Sequence, residues 1–260
     1  MRSSRAEVAA RRDEVVRLVA RGLVRVDQLS RRLDVSPVTV RRDLAALESA
    51  GRLSRTYGGA VDPPHFTELH LGERMRRQRG AKQAIGERAA AMLPSRGTVF
   101  VDAGSTCVAA VAHIPKESEL TVVTRSPEIA IMLTQWPHLR TILTGGDVAL
   151  KSHGLVGHLA TRAIGQFRYD AALLGVDAVH PVDGVGEPTL QEVATKEVAA
   201  ERAREVLVLA DRTKLDVSGI AAWAPIENWA LITDAGDIEI ERFRDAGVGV
   251  VQVSAVTDED

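Results

Sequence analysis

The sequence predicts an α/β protein that carries a small helical domain at its N-terminus. Its 260 residues are enough for two domains. Residues 1–60 hold 13 arginines, no lysine and 7 acidic residues, a net charge of +6, which leaves −8 for the rest of the chain. From residue 98 onward, short apolar runs alternate with helical stretches, which is typical of a parallel sheet with crossover helices. We therefore expect a basic domain over 1–62, a linker and the start of a connecting helix over 63–80, and a larger domain over 81–260.

The basic region is predicted to begin with two helices. Val15, Leu18 and Val19 recur at helical spacing, and Gly22 supplies the left-handed position that commonly ends a helix. A second, short helix is expected around residues 27–33, before "DVS" turns the chain. Together the two helices form a platform for a third.

The third helix has a well-defined start. Ser36 can cap it, Pro37 suits its first position, and Val35 can pack on Val40 as a hydrophobic staple. At about 100° per residue, Val40 and Leu47 fall on one apolar stripe. The rest of the helix surface carries Val38, Thr39, Arg41 and Arg42.

This outward face has the chemistry of a DNA recognition helix. A helix with apolar and arginine side chains on its free face can enter a major groove. Arg42 is the candidate for a guanine edge, Val38 or Thr39 for a thymine methyl group, and Arg41 for a phosphate. The alternative is a solvated basic face, which explains most arginine clusters.

A short hairpin is predicted after Gly51, where Arg52 and Arg55 would lie along the DNA backbone as a wing or simply face solvent. The whole stretch "LSRRLDVSPVTVRRDLAALESAGRLSRTYGGAV" resembles the winged helix-turn-helix of the DeoR family of bacterial repressors. Tyr57 stands where that family often has histidine, and either side chain can reach a phosphate. The resemblance implies double-stranded operator DNA as the partner, contacted through Ser36, Val38, Thr39, Arg41, Arg42, Arg52, Arg55 and Tyr57.

The larger domain is predicted to follow a Pro-Pro linker and a helix over about residues 67–93, whose basic run is interpreted as a solvated face. Seven β-rich runs come next: "TVFVD", "TVVT", "RTILT", "AALLG", "EVLVLA", "WALIT" and "VGVVQV". Ligands of such sheets bind outside the carboxyl ends of the strands. The residues that end each run are therefore the candidates for a binding site.

The first strand end, "VDAGST", resembles a phosphate cradle. Gly104 allows close backbone approach, and the free N–H groups at the helix start near Ser105 and Thr106 favour an anion. A Ser-Thr pair at a helix start is otherwise an ordinary cap. Asp102 supplies the acidic group at the end of the strand.

Two further strand ends favour a ligand site over simple capping. "VVTRSP" places Thr124 and Arg125 before a helix, and "LTGGDVALKSHG" offers Gly145 and Gly146 with Lys151 beyond them. Carboxylates can grip sugar hydroxyls while lysine holds a phosphate, although a solvated loop explains the later acidic residues about as well. Later candidates of these kinds are Asp177, Asp183, Glu192, Lys196, Asp211 and Lys214.

The stretches "ERMRRQRGAKQAIGERAA", "DAGST", "VVTRSPEIA", "TGG", "LLGVDAV", "EVATK" and "LADRTKL" resemble the DeoR-type sensor domain in order and spacing. That resemblance implies a phosphorylated sugar or related effector, bound in a fold shared with ribose-5-phosphate isomerase and coenzyme A transferases. Arg125 stands where many relatives carry a small or amide residue. The implied effector site comprises Asp102, Gly104, Ser105, Thr106, Thr124, Arg125, Gly145, Gly146, Lys151, Gly175, Asp177, Lys196 and Lys214.

The function expected from both halves is a DNA-binding repressor of carbohydrate genes, relieved by a phosphorylated sugar, with no enzymatic activity and no cofactor. A homo-oligomer is expected, because one short recognition helix contacts too few base pairs. The alternative is a sugar-phosphate isomerase with a DNA-binding appendage, using Asp177, Glu192 and Lys196. Against it, "DGVGEPTLQE" lacks the glycine-rich run that precedes the catalytic carboxylate of those isomerases.

Other functional classes find no support in the sequence. Cys107 is the single cysteine, so no intrachain disulfide can form, and we expect it to be a small buried residue. The histidines, including His153 and His158, show no metal-ligand spacing. No apolar run approaches the roughly 18 residues of a membrane span, and the N-terminus has no signal-peptide core. We expect a cytoplasmic protein with no membrane partner.

Overall fold

The computed structural model describes residues 5–20, 26–49, 54–56, 59–61, 66, 68–215, 217 and 219–255. The chain forms two compact units, Met1–Thr67 and Glu68–Asp260. Across the described ranges, every helix is too short or too polar to cross a membrane. The elements of the first unit are α1 (Arg5–Ala20), α2 (Val26–Leu33), α3 (Pro37–Ser49), β1 (Ser54–Thr56) and β2 (Gly59–Val61).

The first unit has the predicted three helices and hairpin. Ser36 Oγ accepts a hydrogen bond of 3.1 Å from the Thr39 amide, which confirms the cap of α3. Strands β1 and β2 pair antiparallel, with Arg55 opposite Ala60, which confirms the hairpin. The three helices share one apolar core, formed by Val15, Leu18, Val19, Leu29, Val40, Leu44 and Leu47.

A buried carboxylate also joins α1 to α3. Asp43 is 1% exposed, and its two oxygens accept hydrogen bonds from Arg11 Nε (2.7 Å) and Arg12 Nε (3.1 Å). Two arginines of the basic region are therefore paired within the unit, and the side chain of Arg12 stays 35% exposed. The sequence analysis did not predict this contact, because it links residues about thirty positions apart.

The second unit begins with two short helices, α4 (Leu71–Arg74) and α5 (Arg79–Met92). The prediction of one continuous helix over residues 67–93 was wrong. Lys82 Nζ donates to the carbonyl oxygens of Arg74 (2.5 Å) and Arg77 (2.8 Å), which a continuing helix would use for its own hydrogen bonds. Gln78, just before α5, has a left-handed φ of 52° and completes the break.

A seven-stranded parallel sheet forms the centre of the second unit, and each of the seven predicted runs is one of its strands. The spatial order is β14-β13-β11-β8-β3-β4-β5. Each strand is short and mostly apolar, as expected for a sheet covered on both faces. The strands are β3 (Arg96–Val101), β4 (Glu119–Thr124), β5 (Arg140–Leu143), β8 (Ala171–Gly175), β11 (Val206–Leu209), β13 (Trp229–Thr233) and β14 (Gly249–Gln252).

Helices cover both faces of this sheet. Phe100 belongs to one apolar core, while its neighbours Val99 and Val101 belong to the other, as alternation along a strand requires. The remaining helices of the unit are α6 (Ser105–Ala112), α7 (Pro127–Leu133), α8 (His158–Gly165), α9 (Leu190–Arg202), α10 (Asp237–Asp245) and a 3-10 turn (Arg212–Lys214). The predicted α/β class is confirmed.

Five further short strands were not predicted. β6 (Asp147–Val148) pairs with β7 (Leu155–Val156), and β10 (Gly184–Glu187) pairs with both β9 (Ala178–His180) and β12 (Ala222–Ala224). These five strands are short and have few β-branched residues, so their sequences predict loops. Strand β10 approaches β12 so closely that a side chain at position 184 would collide with a carbonyl oxygen of β12.

The order of the sheet determines where a ligand can bind. From β3 the chain proceeds outward through β4 and β5, and it then returns to β8 on the other side of β3 and proceeds outward the opposite way. The carboxyl ends of β3 and β8 therefore flank a topological switch point, where open α/β sheets form a crevice.

Helices α5 and α6 pack so closely that only glycine fits at position 86 of α5. A Cβ on Gly86 would lie 2.7 Å from backbone atoms of Ala109 and Ala110, and backbone cannot rotate away as a side chain can. We expect Gly86→Ala to lower the free energy of unfolding by about 1–3 kcal/mol. Gly72→Ala is the matched control, because a Cβ there meets nothing within 4 Å. Urea denaturation of both variants is the measurement, and equal effects would contradict the packing argument.

Candidate functional site

The third helix presents its predicted DNA-contacting residues to solvent. Val38, Arg41 and Arg42 are exposed, and Val38 keeps 69% of its accessible surface. Thr39 is half-buried, with its Oγ1 2.9 Å from Ser36 Oγ. The outward orientation of the three exposed residues is confirmed, whereas contact with DNA stays a prediction.

The predicted wing contacts fall mostly outside the described residues. Arg52 and Tyr57 are not among them. Arg55 lies in β1, and only its backbone is described. All three DNA contacts therefore stay predictions.

A buried ionic network occupies the switch point of the second unit. Asp102, directly after β3, is fully buried and accepts hydrogen bonds from Arg125 Nε, from Lys196 Nζ (2.7 Å) and from the Ala103 amide (2.7 Å). Lys196 Nζ also lies 3.0 Å from Glu187 Oε1. The network joins the ends of β3 and β4 to α9 and β10.

Two opposing effects set the pKa values of this network: burial disfavours the charged form of each group, and a nearby opposite charge favours it. Burial alone would raise the pKa of Asp102, but Arg125 and Lys196 hold it below its usual range. The pKa of Lys196 is raised, because Asp102 and Glu187 outweigh the effect of burial. Burial raises the pKa of Glu187 to about 7, since Lys196 opposes it only in part. The network thus holds the cations Arg125 and Lys196 and the ionised carboxylate of Asp102. Its fourth member, Glu187, titrates near neutral pH.

A second ionic group lies at the end of β8. Asp177 Oδ1 lies 3.0 Å from Lys214 Nζ and 3.2 Å from Arg74 Nη2. Burial would raise the pKa of Asp177, but Arg74 and Lys214 lower it overall. Glu68, whose Oε1 lies 4.0 Å from Arg74 Nη1, has its pKa raised to about 7 by burial, Glu192 and Asp177. Two cations therefore converge on one oxygen of Asp177.

The predicted phosphate cradle lies between these ionic groups. Gly104 has a φ of 125°, which favours glycine, and it precedes α6 without a side-chain cap. The Val108 amide donates to the Gly104 carbonyl (3.0 Å), so the N–H groups of Ser105–Cys107 have no partner within the helix. Gly175 is needed beside this loop, because a Cβ there would lie 2.9 Å from the Ala103 carbonyl oxygen.

The other predicted strand-end residues build the walls. Thr124 is fully buried, and its Oγ1 accepts a hydrogen bond from the Ser126 amide (3.1 Å). Gly146 has a φ of 136°, and a side chain there would collide with β7, so Gly145 and Gly146 form a tight turn. Lys151 Nζ donates to the Glu68 carbonyl oxygen (2.8 Å). These contacts are structural and leave the role in ligand binding a prediction.

Three of the later acidic candidates differ in position. Glu192 is buried and accepts hydrogen bonds from Ser152 Oγ (2.8 Å) and Thr189 Oγ1 (3.1 Å). Asp211 is buried and caps the 3-10 turn. Asp183 is exposed and pairs with a histidine in the β9–β10 turn, so the structure does not bring it to the site.

Three site residues were missed by the sequence analysis. Arg74 lies in the basic run that was interpreted as a solvated face, yet its side chain is only 12% exposed. Arg76, Arg77 and Arg79 of the same run are exposed, as expected. The other two are Glu68 and Glu187, for which no spacing or motif gave a signal.

Several buried polar atoms of the site lack a hydrogen-bond partner. Arg125 Nη1, Thr144 Oγ1 and Glu68 Oε1 are among them. Arg125 itself is 1% exposed. Because an unpaired buried donor or acceptor costs about 1–3 kcal/mol, we expect a water molecule or a ligand group at some of these positions.

Nothing in this site suggests a nucleophile or a metal centre. Cys107 is fully buried, as expected, and burial raises the pKa of its thiol well above the usual range. Within the described part of the chain, no three His, Cys, Asp or Glu side chains are grouped as metal ligands.

Comparison with known proteins agrees with both units. The DeoR-like helix-turn-helix domain matches residues 11–63, and the DeoR C terminal sensor domain matches residues 77–235. The HTH-type transcriptional regulator GlpR of Haloferax volcanii is 33% identical over 248 residues, 94% of this chain and 97% of that protein. The glycerol-3-phosphate regulon repressor of Escherichia coli is 30% identical over 205 residues, 78% of this chain and 81% of that protein.

Among solved structures, ribose 5-phosphate isomerase A from Methanocaldococcus jannaschii aligns with a TM-score of 0.39 and 15% identity, over 52% of this chain and 53% of that one. The fold and site together define a protein with a helix-turn-helix unit followed by an α/β unit with a charged crevice. The chain belongs to the DeoR family of transcriptional regulators.

Because of the buried network, we expect two carboxylate substitutions to lower the free energy of unfolding by very different amounts. Asp102→Asn leaves Arg125 and Lys196 buried with a neutral partner, so we expect a loss of about 3–5 kcal/mol in the free energy of unfolding. Glu119→Gln is the control, because Glu119 and Arg96 are exposed and 3.8 Å apart, and we expect almost no loss. Denaturant titration measures both, and a small loss for Asp102→Asn would refute the importance of the network.

Proposed function

We propose that this protein is a repressor that leaves its operator when a phosphorylated sugar or polyol binds the second unit. The observation that carries the proposal is the start of α6, where N–H groups without a partner in the helix lie beside the buried guanidinium group of Arg74 at the switch point. Helix N-termini and lysine or arginine side chains are the groups that hold phosphate. The name of the Escherichia coli relative, a glycerol-3-phosphate regulon repressor, supports an effector of this class.

DNA binding is assigned to the first unit. Its third helix exposes Val38, Arg41 and Arg42 on a platform of two helices, which is the geometry of major-groove recognition. A symmetric dimer or larger assembly is part of the proposal, because one such helix contacts only a few base pairs. The operator is then expected to contain two related half-sites.

Binding without turnover is the third part of the proposal. Glu192 and Lys196, which the isomerase alternative would use as acid and base, are already held by Ser152 and Thr189 and by Asp102 and Glu187. We therefore expect ribose 5-phosphate to be recovered unchanged after incubation with the protein. Conversion that Glu192→Gln abolishes would instead support an isomerase.

The DNA interface is tested by substitution on α3. A duplex selected from a random library by the full-length protein serves as the operator, and its sequence reports whether half-sites repeat. We expect Arg42→Ala to weaken binding by about 1–3 kcal/mol and to relax preference at one base position. Arg96→Ala, which removes the same charge from an exposed position of the second unit, is the control. Equal affinity of the two variants in fluorescence anisotropy would refute the assignment.

The effector class is tested by thermal unfolding with glycerol 3-phosphate, ribose 5-phosphate, fructose 1-phosphate and their unphosphorylated counterparts. A ligand at about 100 times its dissociation constant adds roughly 2.7 kcal/mol, a shift of a few degrees. We expect a shift with a phosphorylated compound only, and its loss in Lys214→Gln.

Arg212→Gln is the matched control for this experiment, since Arg212 lies on the same 3-10 turn but its side chain is 59% exposed. A shift that persists in Lys214→Gln would place the ligand elsewhere. No shift with any phosphorylated compound would reject the proposed effector class.

A further inference from the structure

Arg74 lies directly beside the predicted phosphate cradle. Its Nη2 atom is 3.2 Å from Asp177 Oδ1 and 3.8 Å from the position that a Cβ would take on Gly104. The side chain is 12% exposed, so the guanidinium group is inside the crevice. An anion at the start of α6 would therefore contact Arg74 as well as the helix N–H groups.

The segment that carries Arg74 is built into the wall of the site. The Leu71 amide donates to the Lys151 carbonyl oxygen (2.8 Å), and Lys151 Nζ donates to the Glu68 carbonyl oxygen (2.8 Å). Lys82 Nζ holds the carbonyl oxygen of Arg74 itself. Residues 68–74 are thus held by Lys151 at one end and by Lys82 of α5 at the other, and they are the first residues after the helix-turn-helix unit.

The charges around Arg74 leave donors free for a ligand. Arg74 and Lys214 share one carboxylate oxygen, that of Asp177. Burial would lower the pKa of Arg74, but nearby carboxyl groups, Asp177 foremost, raise it overall, so the guanidinium group stays charged inside the crevice. A guanidinium group has five N–H donors in a planar fork that matches phosphate oxygens.

An independent observation also points to a ligand at this loop. Arg125 is bound to Asp102, and its Nη1 atom lies beside Gly154, 2.2 Å from the position that a Cβ would take there, and is buried without a hydrogen-bond partner. A buried donor in this state needs an acceptor from outside the chain, either a water molecule or a ligand. The acceptor-rich groups of a phosphorylated sugar supply one.

We propose that Arg74 binds the phosphate of the effector, and that the phosphate draws Arg74 away from Asp177 and so shifts segment 68–74. This inference rests on the proposed function and adds its regulation. Because the segment directly follows the helix-turn-helix unit in the chain, the change in its position is the signal that alters DNA binding. The effector acts only because it contacts Arg74 differently in the two arrangements.

The test uses the full-length protein with Arg74→Gln, and Arg77→Gln as the matched control. Arg77 lies in the same basic run, is 63% exposed and pairs with Glu73. Glycerol 3-phosphate, ribose 5-phosphate and fructose 1-phosphate are the probes, with glycerol as the unphosphorylated reference. Thermal shift measures binding, and anisotropy of labelled operator DNA measures release.

We expect Arg74→Gln to lower the affinity for the probe that binds the wild-type protein at least tenfold. We also expect this variant to remain on DNA at probe concentrations that release the wild-type protein and Arg77→Gln. Arg74→Lys should recover part of the affinity, because lysine restores the charge without the planar donor geometry of a guanidinium group. This variant also tests the proposal if Arg74→Gln does not fold. Normal probe binding and DNA release by Arg74→Gln would overturn this inference and leave the proposed function intact. Failure of every probe to shift the wild-type protein would reject the proposed function, and the inference with it.

Discussion

The burial of Asp102 at the end of the central strand is the constraint on which the second unit depends. A carboxylate without solvent is stable only when cations and hydrogen-bond donors surround it, and here Arg125 and Lys196 supply the charges. These partners come from the end of β4 and from α9, on opposite sides of β3 in the chain topology. The same ionic contacts that stabilise Asp102 therefore fix the geometry of the crevice around it.

The crevice contains an inner and an outer ionic group. In the inner group, Arg125 and Lys196 both pair with Asp102, and Lys196 Nζ also lies 3.0 Å from Glu187 Oε1. Toward the start of α6, Arg74 and Lys214 share a single oxygen of Asp177. In the proposed mechanism, the ligand phosphate is the third partner of these cations. Because Arg74 belongs to the segment that follows the helix-turn-helix unit in the chain, a change at Arg74 would act on that segment first.

The sequence predicted those features that depend on local pattern. The seven strands were visible as apolar runs because a doubly covered parallel sheet buries both faces of each strand, and α3 was visible because its cap and stripe lie within one short stretch. The break between α4 and α5 was not visible in the sequence, since it depends on hydrogen bonds from Lys82 to two carbonyl oxygens earlier in the chain. Glu187 and Arg74 were missed for a related reason: nothing near them in the chain shows which distant charges they meet.

The carboxyl edge of the sheet between β3 and β8 is the proposed binding site of the effector phosphate. The most direct measurement is a crystal structure of the full chain with the phosphorylated compound that raises its melting temperature. The account predicts phosphate oxygens at about 3 Å from the amide nitrogens of Ser105 and Thr106 and from the guanidinium group of Arg74. A phosphate bound away from the start of α6, with Arg74 still paired to Asp177, would contradict it.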